Sequence, residues 1–559
     1  MHTLNLHPVL LLLLLFSHLS CFHIVVPVSA KVLMSIDCGS SSLKPYTDKD
    51  SLVWVGDNQY VQTGETRNVI TKDLPPGWDP HVMSTIREFR TRKKNCYSLD
   101  VDNKAKDSTS AEWVLVRASF YYGNYDNKST PPTFHLQFNG NNWTQVVTSM
   151  ERVVYREVLY PLNGKNTIII CLGQTKVDHL PFISALEVRS WDSYIYSNYT
   201  DPNYPLIFGA RVAFGISAAI RFPEDSYGRI WNPRNPRAPM VSVGSNSTSL
   251  KANIDGNLPE IVTRTAAVNL NSSANITIWA DRDPKFPVHV NLYFSEVMIL
   301  NSTQKRSFNI IVNGFVFYSG ELLQKFGPVS PPHGRALEVH FENVYVDPLF
   351  GYKIEIVRAN GSTLPPLVNA FEDFYIGDKL VQGTNSSDVI SLGLLQKSFP
   401  QLQDWSGDPC LPSPFTWDWV ACDTDTDSPR VIALYLNDLG LTGSLPDFSA
   451  MDALETIDLS NNSLTNEIPE FLGKFSKLDT LYLEGNSFSG EVPCSLLKNS
   501  NLRLNVTGNP NLSLSNKNTP ICRNNTESRI PSASNSENYI MSALQIIILG
   551  SIITQMRVM

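Results

Sequence analysis

Leu434-Tyr435-Leu436, Ile457-Asp458-Leu459-Ser460-Asn461-Asn462, Leu481-Tyr482-Leu483-Glu484-Gly485-Asn486 and Leu504-Asn505-Val506-Thr507-Gly508-Asn509 are four renderings of one phrase, the last degenerate. Leu436, Leu459, Leu483 and Val506 lie 23, 24 and 23 residues apart. A short strand with alternate apolar residues, followed by Asn at a period of this length, predicts a stack of turns in which each phrase lays one strand into a shared sheet. The residues between and just after the core leucines (Tyr435, Asn437, Asp438, Asp458, Ser460, Tyr482, Glu484, Asn505 and Thr507) are then expected on the open face of that sheet. About 50 residues follow the last phrase, too few for a kinase or another enzyme, so signalling would have to pass through a second protein.

Working outward, the ends of the chain carry targeting signals. Val9 to Phe16 is an unbroken apolar run, and Val28-Ser29-Ala30 places small residues before Lys31. This reads as a cleaved signal peptide over residues 1–30. At the other end Ile540 to Val558 is mostly apolar behind the polar, small-residue stretch Pro531-Ser532-Ala533-Ser534-Asn535-Ser536. Residues 524–538 read as a spacer and 539–559 as a lipid-anchor signal or a short transmembrane helix, a choice the sequence leaves open. Export agrees with 13 Asn-x-Ser/Thr sites, at Asn127, Asn142, Asn198, Asn246, Asn271, Asn275, Asn301, Asn360, Asn385, Asn461, Asn505, Asn511 and Asn524, which predict a heavily glycosylated surface. A net charge of −8 argues against a nucleic-acid partner, and 10% aromatic against 18% charged residues argues for a folded chain.

The middle of the chain is written twice. Thr133-Phe134-His135-Leu136-Gln137-Phe138-Asn139-Gly140 matches Ser307-Phe308-Asn309-Ile310-Ile311-Val312-Asn313-Gly314, and Pro181-Phe182-Ile183-Ser184-Ala185-Leu186-Glu187 matches Pro366-Leu367-Val368-Asn369-Ala370-Phe371-Glu372. Short alternating runs such as Trp113 to Phe120 and His289 to Phe294, bounded by Gly, Pro and Asn, predict β-sandwiches. The copies are placed at 31–200 and 201–385, with a turn-rich junction near Asp201-Pro202-Asn203-Tyr204-Pro205. Residues 386–430 form a linker containing one short helix near Val389 to Leu395, and 431–523 hold the repeats.

Ser35-Ile36-Asp37-Cys38-Gly39, Asn95-Cys96-Tyr97, Tyr122-Gly123-Asn124-Tyr125-Asp126 and the two Pro-to-Glu blocks resemble the plant malectin-like domain. Trp405-Ser406-Gly407-Asp408-Pro409-Cys410 and Trp417-Asp418-Trp419-Val420-Ala421-Cys422 are similar to the linker and amino-terminal cap of malectin-like/leucine-rich-repeat receptors, and the phrase that opens this section has the period of leucine-rich repeats. The resemblance covers nearly all of the mature chain. It implies a mainly β fold: tandem malectin-like jelly rolls followed by a short α/β leucine-rich-repeat solenoid. Relatives of this kind usually continue into a membrane helix and a kinase, so the chain looks like a kinase-less receptor-like protein.

Cys410 and Cys422 flank Trp417 and Trp419, and a disulfide there would close a small loop capping the first repeat. Cys494 and Cys522 are expected to tie down the far end. Of Cys38, Cys96 and Cys171, one thiol is left over, and the sequence does not say which. Tyr121, Tyr122, Tyr125 and Asp126, with Trp143 nearby, are the ligand candidates. Aromatic plates beside a carboxylate suit sugars, and the resemblance to malectin, known for binding short glucose oligomers, places these residues at its site; packing of the sandwich is the competing reading. Arg87, Arg90, Arg92, Lys93 and Lys94 form a basic run that could meet pectin carboxylates or lie solvated on the surface. Asp423 to Asp427 fails the calcium-loop pattern, with Ser428 where Gly belongs and Leu434 where Glu belongs. No metal or nucleophile motif is present, and no cofactor is expected. A glycosidase carboxylate pair is the enzyme reading the sequence leaves standing, without a positive signal.

The expected function is non-enzymatic recognition at the outer face of the plasma membrane or in the wall. The malectin-like unit would bind a wall carbohydrate or a secreted peptide, and the repeats would contact a partner receptor kinase. The alternatives are a structural wall-binding glycoprotein and a carbohydrate-active enzyme. Glycans at Asn461 and Asn505 would crowd the open face of a sheet about four strands wide, so docking is expected through the side, the tip or the Leu439–Thr442 edge.

Overall fold

The computed structural model describes residues 32–513 except 43, 102–112, 192–195, 197–198, 237, 246–257, 271–274, 281, 283–284 and 317–327. The expected signal peptide, the polar spacer and the apolar tail lie outside the described residues. Among the described residues no helix is long and apolar enough to cross a membrane. The chain divides into two compact units, residues 1–432 and 433–559.

The first unit contains the duplication. Each written copy becomes a sandwich with the same strand connections. In the first, Val32–Asp37 pairs with Ala185–Trp191, which pairs with Trp113–Phe120, which pairs with Val154–Pro161. In the second, Leu206–Phe214 pairs with Ala370–Ile376, then Val288–Phe294, then Leu337–Val344. Opposing four-stranded sheets close each sandwich. The repeated Asn-Gly blocks are two-residue hairpins in both copies: Phe138 faces Asn141 and Val312 faces Phe315. Asn139 and Gly140 (φ 44° and 79°) and Asn313 and Gly314 (φ 51° and 85°) supply the left-handed pair that such a turn demands.

The copies are not two beads. Val158 pairs with Ile207 and Leu159 with Leu206, so one sheet runs through both sandwiches. Period-2 alternation then assigns each residue to a face. Val114, Val116, Ala118 and Phe120 enter the first sandwich core, while Trp113 and Leu115 join Leu159, Trp191, Leu206, Phe208 and Phe374 in a cluster on the opposite face. All eight residues of Trp113–Phe120 are therefore buried.

Residues 386–398 form the helix of the linker. Asn385 caps it, accepting from Ser387 N, and buried Asp388 in its first turn accepts from Arg430 and from Val431 N at 2.9 Å. Cys410 and Cys422 are bridged, and Trp405, Trp417 and Trp419 pack beside them. Cys96 bridges Cys171, leaving Cys38 as the free thiol, fully buried.

In the second unit the phrases form parallel strands Thr456–Asp458, Thr480–Tyr482 and Arg503–Asn505 alongside the end of Arg430–Tyr435. The repeated Asn explains itself. Asn462, Asn486 and Asn509 each donate backwards to a carbonyl of the preceding turn (Leu436, Leu459 and Leu483) at 2.8–2.9 Å. Each also accepts from a backbone N–H (Leu441, Leu464 and Phe488). Phe448 and Phe475 stack on the other side, with Phe471 edge-on to both. Cys494 opens a short helix; Cys522, its expected partner, lies outside the described residues.

Candidate functional site

The aromatic cluster sits at the end of the first sandwich, and most of it faces inward. Tyr121, Tyr122 and Trp143 are 2%, 0% and 3% exposed. The Tyr122 ring packs against Tyr125 and Phe182, and its hydroxyl donates to Asp126. Trp143 packs on Phe138. Burial and the Asp126 carboxylate together push the Tyr122 phenol up to about 12. Tyr125 and Asp126 alone of the five keep partial access to solvent. Tyr125 donates to Glu88 Oε1 at 2.8 Å, and Glu88 Oε2 receives Arg67 and Arg90. The solvent-accessible remnant of the expected sugar site is thus Tyr125 and Asp126 beside a paired carboxylate.

The basic run is divided: Arg90 and Lys93 stay exposed, while Arg87, Arg92 and Lys94 are engaged within the protein. Arg87 is buried and forks onto Asp57, and Arg90 pairs with Glu88 at 2.6 Å. The Arg92 guanidinium lies 4.4 Å over the Trp405 ring. Lys94, 2% exposed, donates to the carbonyls of Asp408 and Leu411. Its ammonium is pushed down to about 8 by burial, against the pull of Asp408. Arg92 and Lys94 therefore clamp the linker to the first sandwich. Gly407 completes the clamp: a Cβ there would lie 2.5 Å from Cys96 Sγ.

A row of buried charges, absent from any local motif, crosses the shared sheet. Glu187, Arg117, Glu157, Arg211 and Glu372 stand on five neighbouring strands, all on one face, each at most 3% exposed. Arg117 donates to Glu187 at 3.1 Å and to Glu157 at 2.7 Å. Arg211 reaches Glu157 and Glu372, both at 2.8 Å. Glu372 also accepts from Tyr293 and Tyr196. Burial opposes ionisation of these carboxyls, but the guanidinium groups outweigh it and hold Glu157, Glu187 and Glu372 below the usual carboxylate range.

One end of this row opens into a cleft. It is lined by Arg117, Glu187 and Arg189, by the rings of Trp54, Trp78 and Phe222, and by Asp48, Asp50, Asp79 and Arg221. Five separate stretches of chain supply these residues, which is why no motif announces them. The available signal was an Arg or Glu at the centre of an alternating apolar run, as at Arg117, Arg189 and Arg211.

With this geometry in place the comparisons decide the family. The malectin-like domain profile matches residues 36–376, more than half of the chain, and a leucine-rich-repeat profile matches residues 453–475. The chain belongs to the malectin-like family. A probable LRR receptor-like serine/threonine-protein kinase of Arabidopsis thaliana is 34% identical over 452 residues, covering 78% of this chain and 49% of that protein. An uncharacterized Arabidopsis thaliana protein is 34% identical over 380 residues, covering 65% of this chain and 68% of its own length. This malectin-like chain thus spans about half the length of the receptor kinases it matches. The extracellular domain of Arabidopsis thaliana ANXUR1 overlays it with a TM-score of 0.49 at 16% identity, covering 62% of this chain and 97% of that one. The mainly β, tandem malectin-like architecture followed by leucine-rich repeats is that of a malectin-like, leucine-rich-repeat receptor-like protein.

Proposed function

We propose that the chain is a non-enzymatic recognition protein of the plant cell surface. The malectin-like unit takes a wall carbohydrate or secreted peptide, and the repeats meet a receptor kinase. The observation that carries this reading is the order of parts, a malectin-like domain over residues 36–376 and a leucine-rich repeat over 453–475, in a chain 34% identical over 452 residues to a receptor-kinase relative. Glucose-type oligosaccharide and pectin remain candidate ligands, with Tyr125 and Asp126 the residues placed to meet a sugar. On the repeats, Tyr435 is 46% exposed and Leu439 38%, so an apolar contact is offered on the open face as well as at its Leu439 edge. Exposed Asn461 stands beside that face.

The test is the full chain expressed on plant cells, with and without wall oligosaccharides and secreted peptides, followed by co-purification of kinases. Ligand-dependent capture of one kinase supports the receptor reading. Ligand binding with no kinase captured under any condition favours the structural wall protein instead. Loss of capture on Tyr435→Ala or Tyr482→Ala, with folding intact, would move the docking surface from the edge to the open face.

A further inference from the structure

The cleft at the end of the charge row contains an unanswered donor. Arg189 is 1% exposed, yet only its Nη2 is bonded, to Glu187 Oε2 at 2.7 Å. Its Nε and Nη1 have no partner among the described residues. A buried cationic donor left without an acceptor is costly, and folded chains rarely keep one. The neighbouring acceptors are already engaged. Asp48 takes Asp50 N, Leu52 N and Trp54 Nε1, and Asp79 takes His81 N and Val82 N. Glu187 serves Arg117 and Arg189, with Arg221 at 3.7 Å.

The cleft's lining mixes both signs, with Arg117, Arg189 and Arg221 beside Glu187, Asp48, Asp50 and Asp79. Along the buried row and its extension, Arg117, Arg189, Arg211, Arg221 and Arg229 interlock with Glu157, Glu187, Glu372 and Asp225. Arg189 and Arg221 are the loosely held guanidinium groups of that set, and both line the cleft. Asp50 lines the cleft as well, with its carboxyl raised by burial. Arg221 lies 4.3 Å over Trp78 and Arg189 5.4 Å over Phe222, so the rings steer the cations without neutralising them. Gly228 leaves the room this needs: a Cβ there would sit 2.5 Å from Arg189 Nε.

Size limits the ligand. The cleft's free volume is about 20 Å³, enough for a group the size of a water or a carboxylate and too small for a sugar ring. We propose that the cleft is a carboxylate socket, taking the side chain of one acidic residue of an extended peptide between Trp78 and Phe222 onto Arg189. This rests on the recognition role proposed above and names the chemistry of one ligand class.

The probe is a pair of capped hexapeptides differing only in one central Glu or Gln, titrated calorimetrically into the secreted, glycosylated full chain. An oligogalacturonide is titrated in parallel. The Glu peptide is expected to bind at least about tenfold more tightly than the Gln peptide. Arg189→Lys, which keeps a cation beside Glu187, and Phe222→Ala, which removes the ring beside Arg189, should each remove that preference while the chain still melts in one cooperative transition above the titration temperature. Equal binding of the two peptides overturns the socket, as does a Glu preference that survives both variants, binding of the oligogalacturonide alone, or a crystal soaked with the Glu peptide that shows only water at Arg189. A socket that discriminates while no kinase is ever recruited would sink the receptor reading and leave this one standing.

Discussion

Tyr122 and Tyr125 are three residues apart, and the structure gives them different work. Tyr122 is a core ring with its hydroxyl tied to Asp126, whereas Tyr125 caps Glu88 from a partly open position. Tyr122→Ala is therefore expected to cost about 3–5 kcal/mol of stability, read as a shift in the denaturant midpoint. Tyr125→Ala should cost distinctly less and bears on ligand binding instead. A double substitution would confuse the two. Sequence alone could not separate them, because two adjacent aromatics in a sandwich can both be interior when the chain turns at a Gly, as it does at Gly123 (φ 48°). The same blindness applies to Lys94, which reads as one charge among five and is buried against two carbonyls.

Glu338 gives a residue-level dependence on pH. Burial, with Glu372 adding to it, pushes its carboxyl up to about 7 from 4.5, and Arg229 only partly opposes this. A folded-state pKa above the unfolded one means that the folded chain holds the extra proton. Its contribution to stability is full below 4.5 and is lost as pH rises through about 7. Relative to Glu338→Gln, the native chain should lose melting temperature between pH 5 and 8. Parallel curves would place Glu338 in solvent.

At the scale of elements, the repeats were the most legible part, since a strand of alternating apolar residues followed by Asn returns at a fixed period. Asn462 shows why the Asn must recur: one side chain answers a carbonyl and an N–H of the turn before, at Leu436 and Leu441, and a carbonyl of its own turn, at Leu459. Asn462→Ala leaves those groups buried and unanswered, and is expected to cost about 2–3 kcal/mol, whereas exposed Asn461→Ala should cost less, about 1 kcal/mol for placing Ala at a left-handed φ of 55°. Thermal melts of both variants, made without glycosylation, test the contrast. The duplicated sandwiches were legible through their matched Asn-Gly and Pro-to-Glu blocks. The linker helix was half legible, because Asn385 and Asp388 are readable as cap and first-turn acid while exposed Val389, Ile390 and Leu394 blur its apolar stripe. The strand pairing between copies was not legible at all. Nothing in Val154–Pro161 or Leu206–Phe214 says that these two edges choose each other.

For the whole malectin-like unit, that pairing and the charge row together predict one cooperative body. Glu157 is shared by Arg117 of its own copy and Arg211 of the other. Glu157→Ala strands both guanidinium groups in the interior and is expected to cost about 3–5 kcal/mol, with calorimetry still showing a single transition for both sandwiches. Two separate transitions would mean that the copies fold independently. Acid acts on the same row. Glu157, Glu187 and Glu372 titrate below their unfolded value of 4.5, so the stability they bring is present above that pH and drains away as pH falls beneath it. Acid unfolding should begin sooner in a variant whose row is already broken.

The row also bears on how such a chain can change over generations. A charge lost from Glu157 has two debtors, one in each copy, so a single exchange there is punished on both sides of the join. Grafting the first sandwich of one relative onto the second of another would mate two halves of a lock cut from different keys, unless Arg211 and the edge residues Leu206 and Ile207 travelled with it. Having duplicated, the two copies are free to diverge on their outer loops and bound to be inherited as a pair along their common sheet.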